Sequence, residues 1–193
     1  MSRTKYKCCF IGEFGAGKTS FIHSVLGLNG RDIQSTIGID FFTTSICVQY
    51  TNVGVTLWDT AGSERFGSLT NSYVRDSHIV FIIYDLTDRN AMASVEKSFR
   101  GLENCQPQVV GVVGNKTDLK HVAGLDVHDT IKPWSRQDWN IVTGTCSARQ
   151  PNTTKKIFLR CLNQVVCSSN RPESIVVPIK LVPLKPNPKS CCT

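Results

Sequence analysis

The chain has 193 residues with 40% hydrophobic content and a formal net charge of +7, a size that suits one domain able to bury most of its apolar surface. No run approaches the roughly 18 apolar residues of a membrane span, and the polar residues 1–7 carry no signal peptide by this reading. Nine cysteines and four histidines lack metal-ligand spacing, so the thiols are expected to stay reduced and zinc or disulfide scaffolding is excluded; the sequon Asn152-Thr153-Thr154 is then expected to go unused. In chain order, a strand is predicted over 5–11, then a glycine-rich turn, a helix over 18–27 and a polar loop. Strands over 41–50 and 53–58 read as a hairpin turning at Thr51-Asn52. A helical stretch over 64–75 leads to a strand over 78–85, a helix over 91–104 and a strand over 108–114. The segment 126–138, with Pro133 and Trp134 inside it, is only weakly helical. A strand over 139–145 precedes an amphipathic helix over 154–166, with Ile157, Phe158, Cys161, Leu162 and Val165 on one side. This alternation predicts an α/β fold: a mainly parallel sheet with helices on both faces.

Two loops in this plan carry chemistry. Gly12-Glu13-Phe14-Gly15-Ala16-Gly17-Lys18-Thr19 fits the spacing G-x-x-x-x-G-K-[ST] between a strand and a helix. Backbone N–H groups of such a turn point into one concavity, and glycines let the main chain approach a polyphosphate. Gly12, Gly15, Ala16, Gly17, Lys18, Thr19 and Ser20 are therefore the phosphate-binding candidates, with Lys18 reaching the outer phosphates and the Thr19 hydroxyl placed for Mg²⁺. Farther on, the strand ending at Gly114 delivers Asn115-Lys116-Thr117-Asp118 at the edge where ligands of open α/β sheets sit. A carboxylate there can accept two parallel hydrogen bonds from guanine N1–H and its exocyclic amine; adenine lacks that donor pair. Nucleic acid is not an expected partner, because no aromatic-basic platform for bases is present.

Taken together, these motifs resemble the Ras superfamily of small GTPases, and the Rab branch in particular. Thr36-Ile37-Gly38-Ile39-Asp40-Phe41 is similar to the Rab first switch. Trp58-Asp59-Thr60-Ala61-Gly62-Ser63-Glu64-Arg65-Phe66 is similar to the second, Ile83-Tyr84-Asp85-Leu86-Thr87 to the fourth strand, and Cys146-Ser147-Ala148-Arg149 to the last guanine-contacting loop. The resemblance implies the P-loop GTPase fold, a six-stranded mostly parallel sheet with one antiparallel strand, over a G domain at 1–167. It implies GTP/GDP and Mg²⁺ as ligands, guanine contacts from Asn115, Lys116, Asp118, Ser147, Ala148 and Arg149, and metal contacts from Thr19, Thr36 and Asp59. Thr36 and Gly62 would meet the γ-phosphate, so both switches would be ordered by GTP and released by GDP. Effector proteins would read Ile37, Gly38, Ile39, Asp40, Phe41, Trp58 and Tyr73, although buried packing accounts for Trp58 equally well. An exchange factor, an activating protein and a prenylation escort are further implied partners of a monomeric G domain. Residues 73–77 and 114–119 are reminiscent of Golgi-type Rabs, which suggests the cytoplasmic face of a Golgi or endosomal membrane.

Three departures bear on activity. Ser63 stands where the family has the glutamine that orients the attacking water, and Phe14 replaces a small residue beside the γ-phosphate; with Gly62 these are the candidate catalytic positions. Both changes predict slow hydrolysis, or none in a constitutively GTP-bound scaffold. Residues 27–32 lack the aromatic that Rab proteins stack on guanine, which predicts faster nucleotide exchange. The tail, 168–193, is a separate unit holding five of the eight prolines, and four basic residues (Arg171, Lys180, Lys185, Lys189) against Glu173. Such a segment behaves as a disordered, basic tether. It ends Ser190-Cys191-Cys192-Thr193, which is not C-a-a-X but resembles the paired-cysteine ending of Rab proteins. That implies lipidation at Cys191 and Cys192, two anchors being what stable membrane attachment requires.

Overall fold

The computed structural model describes residues 5–28, 36, 38–60, 73–120, 127–134 and 139–169. The expectations for Ile37, Gly62, Ser63, residues 64–72 and the tail from 170 on, with Cys191 and Cys192, fall outside these residues. Strand β1 (Lys5–Ile11) sends Tyr6, Cys8 and Phe10 to one side of the sheet and Cys9 and Ile11 to the other. The strand four (β4, Ile79–Asp85) does the same, with Ile79, Phe81 and Ile83 facing opposite to Val80, Ile82 and Tyr84. Both sides are buried, so these strands appear in the sequence as unbroken apolar runs rather than alternating ones. With β2 (Ile39–Val48), β3 (Thr51–Thr60), β5 (Val109–Asn115) and β6 (Asn140–Thr145) the sheet has the order β2-β3-β1-β4-β5-β6, parallel except for β2 against β3.

Helices α1 (Lys18–Leu26) and α4 (Pro151–Ser169) cover the first side. Here the Phe10 and Phe81 rings stack at 4.8 Å and the Phe81 and Phe158 rings at 5.6 Å. Helix α2 (Ala91–Arg100) and the short α3 (Val127–Ile131), continued as a 3₁₀ turn over Lys132–Trp134, cover the second side. The layered α/β architecture is as expected; several boundaries are not. The β2–β3 hairpin turns at Gln49 (φ 47) and Tyr50 (φ 64), not at Thr51-Asn52, which lie in the ladder opposite Val48 and Cys47. Two consecutive positive φ values give the turn whose twist matches that of the strands, and β-branched Thr51 is poorly suited to that geometry. Helix α4 starts at Pro151, where a missing N–H is harmless and φ is pre-set, and runs three residues past Val166 to Ser169. Helix α2 stops at Arg100 and gives way to turns through Glu103 and Cys105. Pro133, lacking an N–H, accompanies the end of α3 after one turn.

Among the described residues the cysteines are free, with Cys8, Cys9, Cys105, Cys146 and Cys161 buried. Burial pushes the thiols of Cys9, Cys146 and Cys161 up to about 12, so they act as small apolar residues. Gly111 in β5 lies directly under Cys161 of α4. A Cβ there would lie 2.8 Å from Phe81 Cδ1 and 3.0 Å from Cys161 Sγ. Gly111→Ala is expected to destabilise the fold by about 1–3 kcal/mol through overpacking. Urea unfolding would read this as a lower midpoint at an unchanged slope; an unaltered midpoint would show that the helix can move away.

Candidate functional site

The carboxyl ends of β1, β3, β4, β5 and β6 converge on one rim. Strand β1 lies between β3 and β4 in the sheet, the switch in strand order where open α/β sheets form their ligand crevice. A cavity of about 610 Å³ opens there, lined by Gly15, Gly17, Lys116, Asp118, Ala148 and Arg149 among others. That volume lies within the range of small-molecule and cofactor sites.

The turn after β1 is forced into shape by its glycines. Gly12 has φ +135, and a Cβ on it would sit 2.0 Å from the Ile83 carbonyl oxygen of β4. Gly17 has φ +92, and its added Cβ would strike Asn115 Nδ2 at 2.3 Å. Glycine is the residue that fits both places. Gly17 is also the N-cap of α1, which has no side-chain cap and no acidic residue in its first turn. The helix's positive end thus faces the concavity with an anion as its natural complement. Lys18 is buried, its ammonium donating to the carbonyls of Gly12 (2.9 Å) and Glu13 (3.0 Å). Burial pulls this group down to about 8, against the upward pull of Asp59 and Glu13. A phosphate in the loop would give it a full counter-charge in place of two carbonyl dipoles. Phe14, on the same loop, stands 69% exposed, its ring outside the core.

Three oxygens gather beside the loop. Thr19 Oγ1 donates to Asp59 Oδ2 at 2.6 Å, Thr36 Oγ1 donates to the same oxygen at 3.1 Å, and the two hydroxyls are 2.9 Å apart. Asp59 is fully buried at the end of β3, and among the described residues its Oδ1 has no hydrogen-bond partner. Burial raises its carboxyl above the ordinary value despite the two hydroxyl donors and Lys18. An orphaned buried carboxylate oxygen beside two hydroxyls is an all-oxygen donor set, which suits a hard divalent cation such as Mg²⁺. Thr19, Thr36 and Asp59 are the residues that would hold it, and it would neutralise charge on the outer phosphates.

The opposite end of the cavity is built by the residues after β5 and β6. Asn115 is buried and acts as a strut: its Nδ2 donates to the Ala16 carbonyl at 2.9 Å and its Oδ1 accepts the Ala148 N–H at 3.0 Å. It ties the phosphate loop to the loop after β6. Asp118 accepts from Ser147 Oγ at 2.6 Å and pairs with Arg149 Nη1 at 3.3 Å. The Ser147 hydroxyl, helped by Arg149 and Lys116, holds the Asp118 carboxyl below the usual range, so it stays an acceptor. Lys116 has φ +70 and pairs with Asp85 Oδ2 at 2.6 Å.

On the outer surface, Phe41 is 69% exposed in β2 and lies opposite Trp58 of β3 in the ladder. The Phe41 and Trp58 ring centroids are 6.0 Å apart, those of Trp58 and Tyr73 6.1 Å, and the Lys7 ammonium lies 4.9 Å from the Trp58 ring centre. Trp58 also packs partly against the core on its inner side, so core and surface roles coexist in one residue. The stripe begins just after Gly38 (φ 88), Ile39 and Asp40 at the start of β2.

The structure thus brings the phosphate-loop residues, Thr36, Asp59, Asn115, Lys116, Asp118 and the Ser147–Arg149 loop onto one rim. Sequence reasoning passed over His23 and Leu28, which line the cavity, and Asp85, which anchors Lys116. Asp85 was findable as a charged residue ending an apolar strand; Leu28 only as the first residue after the Gly27 cap. The family model described as Ras family matches residues 7–167, a span that includes every loop of this rim. The chain therefore belongs to the Ras family and is a small GTPase, a switch of a kind that binds GTP and GDP with Mg²⁺.

Proposed function

We propose that this GTPase is a Rab-type switch, anchored by its tail to the cytoplasmic face of a Golgi or endosomal membrane, that recruits vesicle-trafficking effectors while loaded with GTP. The observation that carries the Rab reading is the continuous aromatic stripe Phe41–Trp58–Tyr73. Anchoring is supported by the basic, proline-rich tail over 168–193 and by Cys191 and Cys192. Ser63 and Phe14 favour a slow reaction, and Leu28 lining the cavity supplies an aliphatic side chain in a segment, 27–32, without an aromatic. Stacking on an aromatic is worth roughly 1 kcal/mol, so exchange is faster than in a Rab that has one. A second reading, a non-hydrolysing scaffold, rests on the same two substitutions.

Chain isolated from eukaryotic cells tests the proposal. Its bound nucleotide is expected to be largely GTP, GDP release to have a half-time of minutes, and its mass to include two geranylgeranyl groups lost in Cys191→Ser/Cys192→Ser. GDP alone with a half-time of many hours refutes slow turnover and fast exchange; an unlipidated chain that fails to sediment with membranes refutes the anchor.

A further inference from the structure

Asp85 ends β4 in register with Asn115 of β5, and the Leu86 N–H donates to the Asn115 carbonyl at 3.1 Å. The carboxylate is fully engaged. Its Oδ1 accepts the Thr87 amide and hydroxyl, both at 2.8 Å, and its Oδ2 accepts the Lys116 ammonium at 2.6 Å. Burial would raise this carboxyl, but Lys116 and the two Thr87 donors overcome it and hold it below its ordinary value. It therefore stays charged across the neutral range. The pair is shielded, with side chains 31% and 18% exposed, whereas the Lys132–Asp129 pair is 75% and 67% exposed. Shielding is what separates an ion pair that holds a geometry from one that does not.

Lys116 needs such a hold. Its backbone is left-handed at φ +70, a conformation that non-glycine residues keep only when their surroundings impose it. Its neighbours Asn115 and Asp118 line the cavity with it, so the lysine stem is a wall of the base pocket. A free lysine carries four rotatable bonds and would sweep across that opening.

We infer that Asp85 is a positioning residue for guanine recognition: its carboxylate clamps the Lys116 ammonium so that the lysine stem stands as a fixed wall of the base pocket. This rests on the nucleotide-binding reading of the cavity. Asp85 does not touch the base and works only through Lys116, while Thr87 merely orients it.

Release of a fluorescent GDP analogue from the full chain tests this. Asp85→Asn keeps an oxygen for Thr87 but removes the negative charge that pairs with the Lys116 ammonium, and is expected to speed release about tenfold. Lys116→Ala should also speed release, and adding Asp85→Asn to it should change the rate by less than twofold. Thr87→Val, which leaves the ion pair intact, should stay within twofold of the parent chain. Multiplying effects in the double variant would mean that Asp85 acts through the fold, and would overturn the inference. So would an unchanged rate in Asp85→Asn while the parent chain binds the analogue. A parent chain that fails to bind the analogue would instead overturn the nucleotide reading beneath it.

Discussion

Asp118→Asn is expected to lower affinity for GDP and GTP by a hundredfold or more and to raise it for the xanthosine nucleotides. The carboxylate offers two acceptors to the two N–H donors on one edge of guanine. Asparagine replaces one acceptor with a donor, which would then face the guanine amine, and a buried donor without an acceptor loses its full desolvation energy. Sites built on such hydrogen bonds discriminate by factors of about 10⁴–10⁵. Xanthine carries a carbonyl where guanine carries the amine, so the asparagine amide finds its acceptor again. The fold should tolerate the change. Ser147 Oγ, 2.6 Å from Asp118 Oδ1, can rotate its proton to suit an amide, and the Arg149 pair at 3.3 Å involves a guanidinium 81% exposed, the kind of pair that contributes little. Equilibrium titration with both diphosphates reads the outcome. A variant that still prefers GDP over the xanthosine analogue by more than tenfold would remove Asp118 from base recognition.

Much of this site was legible because its chemistry is encoded in short, ordered segments on elements of obvious type. Gly12 and Gly17 can be read as backbone requirements in a strand–turn–helix setting, and the structure supplies the obstacles, Ile83 and Asn115, that make them so. Asp59 was named through resemblance, but its burial and orphaned Oδ1 depend on which strands flank it, and sequence order does not state that. The same holds for Asn115, expected to contact guanine: it lines the cavity, and it also braces two loops at 2.9 and 3.0 Å. Helix ends were misjudged where local and tertiary signals compete. Pro151 looks like a break yet opens α4, and the apolar pattern that sets the expected helix at 154–166 reports only the face that packs. The hairpin turn was misplaced because asparagine is a turn residue by propensity, while register with β2 overrode it. Asp85 could be read as a charged residue ending an apolar strand, but its pairing with Lys116, just past the end of the neighbouring β5, is made by sheet order, which the sequence does not state.

Restoring glutamine at position 63 and glycine at position 14 together is expected to raise activator-stimulated GTP hydrolysis by up to about 10⁵, the combined worth of an oriented water and an arginine finger. The parent chain should clear bound GTP only at a slow intrinsic rate in single-turnover assays, with no response to an activating protein. Each single variant should recover little. A glutamine at 63 can orient water only if the space is free, and glycine at 14 frees space for a water that nothing orients, so the two changes are non-additive. Phe14 sits between Gly12, held against the Ile83 carbonyl, and Gly15 at φ 75, and its ring is 69% exposed, so glycine at 14 removes bulk from the loop without disturbing the core. Asp59, Thr19 and Thr36 keep their mutual distances of 2.6 to 3.1 Å regardless of these two residues, so nucleotide and Mg²⁺ affinity should change by less than tenfold in the double variant. A parent chain with ordinary stimulated turnover would end the slow-switch reading. A double variant as slow as the parent, still binding GTP with Mg²⁺, would move the cause of slowness away from Ser63 and Phe14.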